Sequence, residues 1–150
     1  MKTVQYESVA DARAHLKDLL DAAAGGAPAS LRRDSQRIAL VDVVRLRHFL
    51  VALGPRAKAV AEADGWSVFI PGVPVAADGA TFEDAIAEAV GALREYAEDW
   101  IDRLSGAPNH ADNWGLVQLV ALSTDDELAA WLTGDRELAR LSELARADAC

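Results

Sequence analysis

The chain has a single cysteine, Cys150 at the last of its 150 positions, which excludes an internal disulfide framework and any cysteine-rich zinc site. Its three histidines, His15, His48 and His110, are scattered, with no His-x-x-x-His pair to start a metal site. There is no Gly-x-Ser-x-Gly, no glycine-rich phosphate loop and no dinucleotide fingerprint, so nothing calls for a cofactor or a nucleophilic enzyme. Gly25-Gly26 follows a helical pattern rather than a strand and reads as a stop signal. No apolar run approaches a membrane span. The first residues lack the apolar stretch and small-residue cleavage site of a signal peptide, so the cytoplasm is the expected compartment. No internal repeat or low-complexity tract appears.

The hydrophobic fraction of 51% and the four tryptophans argue for a folded protein with one sizeable core or two small ones. Net charge is −9 and unevenly spread. Residues 1–56 hold nine Lys/Arg against six Asp/Glu, a balance of +3, and residues 57–150 hold six against eighteen, a balance of −12. Such asymmetry fits two partners of opposite sign: nucleic acid at the front and a basic protein at the back. The acidic half reads equally well as an ordinary solvated surface.

The front centres on Ser30-Leu31-Arg32-Arg33, a turn at Asp34-Ser35-Gln36, and a β-branched return strand from Ile38 to Val43. Before it, Thr3 to Tyr6 reads as a short strand. Ser8 then caps a helix whose apolar face is Ala12, Leu16, Leu19, Leu20 and Ala23. After it, Val44, Leu46, Phe49, Leu50 and Leu53 mark a second helix, ended by Gly54-Pro55, the expected domain boundary. So small a unit has little core of its own, and dimerisation through the sheet or first helix is expected.

Beyond the boundary, Lys58 to Glu62 and Trp66 to Ile70 flank Ala63-Asp64-Gly65 as a hairpin, and Val75 to Ala77 adds a third strand. Thr81 caps a long helix with Asp84 three residues on; its apolar positions run from Phe82 to Leu104 and include Trp100 and Ile101. Leu116 to Leu122 reads as a fourth strand. Ser123 caps an acidic helix opening with Asp125-Asp126-Glu127, and Leu138, Leu141 and Leu144 mark a last amphipathic one. The fold class is therefore α+β: a small β-α-β-β-α unit over residues 1–53, then a β-β-β-α-β unit over 57–122 and an acidic helical tail over 123–150. Asp64, Asp78 and Asp84 could mark a residual metal-dependent nuclease site. Each also has a structural task at a turn or helix start.

Lys2, Arg13, Lys17, Arg32, Arg33 and Arg37 all belong to the front unit and could meet phosphates, a set that dimer symmetry would double. They also read as the exposed positions of a hairpin and a helix. At this point residues 1–53 resemble the Phd/YefM antitoxin family. The resemblance is carried by Met-Lys-Thr-Val-Gln-Tyr at the start, Ala12-Arg13-Ala14-His15-Leu16, Leu19-Leu20, Gly26, Leu31-Arg32-Arg33, Ile38-Ala39-Leu40-Val41 and Leu46-Arg47-His48-Phe49-Leu50. It implies a homodimer that binds operator DNA and represses its own operon, with Arg13 and Arg33 at the DNA-touching positions. His15 stands where the family often has Asn, and Arg37 replaces the lysine of its usual turn.

Residues 57–122 are similar to the HicB-type antitoxin domain in the run Trp66 to Pro74 and in Asp78-Gly79-Ala80-Thr81-Phe82-Glu83-Asp84-Ala85. That likeness implies a degenerate ribonuclease-H-like β-β-β-α-β fold. Together the two resemblances imply an antitoxin of a type II toxin–antitoxin system that neutralises a cognate toxin. The acidic helices, through Leu128, Trp131, Leu132, Leu138 and Leu141, are the expected contact for a basic, RNA-cleaving toxin. These leucines fit closure of the protein's own core as well. A DNA-binding regulator with no toxin, its second domain serving dimerisation or a ligand, is the alternative.

Overall fold

The computed structural model describes residues 2–53 and 57–134. The chain divides into two compact units, Met1–Phe49 and Leu50–Cys150. The division falls just ahead of the expected boundary at Gly54-Pro55, residues that themselves lie outside the described ones, as do Leu138 and Leu141.

The first unit runs β1 (Val4–Tyr6), α1 (Val9–Ala14), α2 (Leu16–Ala24), β2 (Ala29–Arg33), β3 (Gln36–Ala39) and the greater part of α3 (Val43–Leu53). Its sheet has the order β1-β2-β3, β1 lying parallel to β2 and β2 antiparallel to β3. The parallel pair requires a crossover, which the two helices supply. Ser8 caps α1, its side chain accepting from the Asp11 amide at 3.1 Å. The single helix expected from Val9 to Ala23 is instead broken at His15, whose φ of −122° and ψ of 31° end α1 and start α2. The break alters which residues face inward: Ala12, Leu19 and Ala22 are buried, while Leu16 and Leu20 stand about half exposed. The core is shallow, built on Ala12, Leu19, Ala22 and Ala29, with Val4, Tyr6, Leu31 and Leu40 against it. At the hairpin, Asp34 takes a left-handed φ of 52°, a region Asp tolerates at low cost.

The second unit begins with an antiparallel meander of β4 (Lys58–Glu62), β5 (Gly65–Phe69) and β6 (Ala76–Gly79). Helix α4 (Phe82–Asp99) packs across it, capped by Thr81, which accepts from the Asp84 amide at 3.1 Å. Approach here is so close that a Cβ on Gly79 would lie 2.3 Å from the Ala85 nitrogen. The long helix then passes into a π-helical turn, Trp100–Leu104. The wider turn shifts the phase of the side chains along it, so Ile101, expected on the buried stripe, is 60% exposed.

Residues expected to form a fourth strand are helical: after a short 3₁₀ turn, α5 (Trp114–Ala121) buries Leu116, Val117, Leu119 and Val120. A short apolar run looks alike in a buried strand and a buried helix, and here the i, i+1, i+3, i+4 set packs against α4. The β-β-β-α-β order is therefore not completed. The last described helix is α6 (Asp125–Thr133), and its cap is Thr124 rather than Ser123. Thr124 and Glu127 form a reciprocal capping box, with bonds of 2.7 and 3.2 Å.

Candidate functional site

The basic residues of the first unit separate into three groups. Glu7 lies between two of the hairpin arginines: Arg32 Nε donates to Oε2 at 2.8 Å and Arg37 Nη2 to Oε1 at 2.9 Å. The hydrogen bond from Arg37, more than any other contact, holds the Glu7 carboxyl below its ordinary 4.5. Arg32 and Arg37 are cross-strand partners, so they share one face of the sheet with Ser30, to which Arg37 also donates. Lys17, on α2, is held by Asp21 one turn on, at 2.5 Å, and that carboxylate raises the ammonium above its ordinary value.

Arg13 and Arg33 form the second group, with no ion-pair partner among the described residues. Side chains alternate along a strand, so Arg33 shares the face of Ala29 and Leu31. Those two residues pack into the core with Ala12 and Leu19 of the helices, so Arg33 rises on the side of the sheet that carries α1 and its Arg13. The two unpaired arginines thus belong to one side of the unit, and the Glu7-held pair belongs to the other. Strand alternation could have sorted Arg32 from Arg33 in advance, but Glu7 as their divider was not foreseen.

His15 and Lys2 make up the third group. His15 sits at the break between the helices, its ring stacked on Tyr6 with centroids 5.1 Å apart and its Nδ1 3.0 Å from the Asp11 carbonyl oxygen. Lys2 lines an open groove of about 540 Å³ beside β1 and α2, together with Tyr6, Asp18 and Asp21. Arg45, not singled out from sequence, donates to the Ala24 carbonyl at 2.8 Å and closes the end of α2.

In the second unit the expected apolar contact faces inward. Leu128, Trp131 and Leu132 are all buried in their own unit, Leu128 completely, so they present no outward stripe. Exposed on the same helix are Asp125 and Asp126. Arg94, which sequence reasoning missed, fixes α6 to α4. It donates to the carbonyls of Val120 at 2.5 Å and Ser123 at 2.8 Å and pairs with Asp125 at 2.8 Å. A lone arginine in an acidic helix was its only signal.

The aspartates weighed for a metal site have other tasks. Asp78 accepts a hydrogen bond from Ser67 across the β5–β6 pair, and Asp84 stands in the first turn of α4. Among the described residues no three His, Cys, Asp or Glu side chains gather to hold a metal ion. No described helix is long and apolar enough to cross a membrane.

This architecture recurs in a solved structure described as the antitoxin part of a proposed toxin/antitoxin system from Syntrophomonas wolfei subsp. wolfei. The two share 20% identity and superpose with a TM-score of 0.73 over 85% of this chain and 96% of that one, a likeness of fold. No curated protein matches the chain. A PHD-like family model, described as "Antitoxin of toxin-antitoxin, RelE / RelB, TA system", matches residues 1–130, and the chain belongs to that family of antitoxins. A single family model therefore spans both units, where the sequence had suggested two separate resemblances.

Proposed function

We propose that this antitoxin is a homodimer that represses its own operon through operator DNA held by the first unit, and that it neutralises a cognate toxin through the second. The first unit is read as Phd/YefM-type, a reading supported by its β1-α1-α2-β2-β3-α3 order. The observation that carries the DNA reading is the placement of Arg13 and Arg33 on one side of the first unit, neither with an ion-pair partner among the described residues, while Lys17, Arg32 and Arg37 are held by carboxylates. Phosphates need such free guanidinium groups, and a two-fold axis would present four of them. Dimerisation is supported by the exposed apolar set Leu16, Leu20, Val44 and Phe49 on a unit with a shallow core. Neutralisation is supported by the family and by the −12 balance of residues 57–150, which suits a cationic partner.

The test is a gel shift of the chain's own promoter over a salt series. Arg13→Ala and Arg33→Ala are each expected to weaken binding and to lower the slope of log K against log salt by about one per protomer. An unchanged slope in both variants would remove these residues from the interface. A chain that shifts the promoter but captures no product of the adjacent reading frame would be a regulator without a toxin.

A further inference from the structure

Helices α4 and α6 leave a groove between them that neither helix fills. Phe82, Ile86, Ala87 and Val90 line one wall and Ala129 and Thr133 the other, around a volume of about 350 Å³. Glu83, Asp125 and Asp126 stand among its lining residues. The Arg94–Asp125 pair lies beyond the Val90 end of α4, which places the start of α6 there. Thr133 lines the same groove as Phe82, so α6 runs back toward the start of α4. Glu83 and Asp126 consequently mark opposite ends of an apolar trough. From Phe82 to Val90 it spans about 12 Å, or roughly two turns of a helix. Asp125 is shared with Arg94, whereas Glu83 and Asp126 have no ion-pair partner among the described residues.

We infer that this trough is the seat of the toxin: it takes an apolar, lysine- or arginine-flanked segment about two helical turns long, its cations meeting Glu83 at one end and Asp126 at the other. The inference rests on the neutralisation reading above and deepens it. Charge complementarity is the argument for this occupant. A protein whose substrate is anionic carries a cationic surface, and a trough with an apolar floor and acidic ends accepts such a segment while disfavouring a second copy of this acidic unit. The buried Leu128, Trp131 and Leu132 then support the far side of α6 instead of touching the partner.

The test uses the full-length chain and the product of the adjacent reading frame. Glu83→Lys/Asp126→Lys is expected to weaken that complex at least about tenfold, read by calorimetry, with circular dichroism confirming the fold. Glu95→Lys/Glu98→Lys makes the same charge change on exposed positions of α4 outside the groove and is expected to stay within about twofold. A photoreactive benzoylphenylalanine replacing Ala87 should cross-link to the toxin. Equal losses in the two double variants, no loss in the first, or an Ala87 adduct confined to residues 135–150 or a second copy would each overturn the assignment. Should the unaltered chain capture nothing, the neutralisation reading fails first and the trough's role with it. Capture that survives Glu83→Lys/Asp126→Lys sinks only the trough.

Discussion

The two units hold themselves together by different means. The second is the more fully closed, although Ile101 and Trp114 stay exposed: Leu93, Leu119 and Leu128 are fully or almost fully buried, and Arg94 of α4 ties the end of α5 to the start of α6 through the carbonyls of Val120 and Ser123. Among the described residues the first buries only Ala12, Leu19, Ala22 and Ala29 in its core. It leaves Leu16, Leu20, Val44 and Phe49 exposed, and its cross-links are surface ion pairs worth little individually. A unit that stops short of a complete core while keeping apolar side chains outside is the one that the dimer proposed above would stabilise.

The largest expected effect lies in the closed unit. Leu128→Ala leaves a cavity among fully buried neighbours and should cost about 3 kcal/mol, measured by urea unfolding of the second unit's transition. A cost near zero would mean that the second unit is not held together by its own core.

Next is the open unit. Leu16→Asp/Leu20→Asp puts two charges on the exposed stripe of α2 and should convert the proposed dimer to monomer by sedimentation while hardly disturbing the buried Ala12–Leu19–Ala22 face. An unaltered chain that sediments as a monomer would remove the dimer, and a dimer that survives the substitutions would take α2 out of its interface.

The smallest effect concerns Glu7. Glu7→Gln removes the charge that holds Arg32 and Arg37, and because that pair lies on the side away from Arg13 and Arg33, promoter affinity should change by less than about twofold. The lowered folded-state pKa sets the sign of the pH dependence: the stabilisation from this carboxylate is complete above its ordinary 4.5 and fades as pH falls through the lower folded value. Acid titration of Glu7→Gln should lack that component of the loss, as followed by thermal melts at pH values stepped downward from the carboxylate's ordinary 4.5.

The sequence alone settled most of the local structure. The caps at Ser8 and Thr81, the Arg-rich hairpin and the Asp-Gly turn before Trp66 were legible because each depends on a few adjacent residues and their backbone preferences. The charge division between front and back was legible for the same reason, being a property of composition. Leu116 to Leu122 was not legible: a continuous apolar run satisfies a strand and a helix alike, and packing against α4 made the choice. The phase slips were missed because one irregular residue at His15 and a π-helical turn over Trp100–Leu104 each rotate everything after them.

At the candidate sites the list of cations could be read directly, but not which of them are free. That depended on β1 bringing Glu7 beside a hairpin twenty-five residues away in the chain. The same holds for α6, whose amphipathic pattern specified an apolar face but not what would cover it. The fold turned that face inward and left the acidic trough beside it, because pairing and burial are decided by elements distant in sequence that only the tertiary structure brings together.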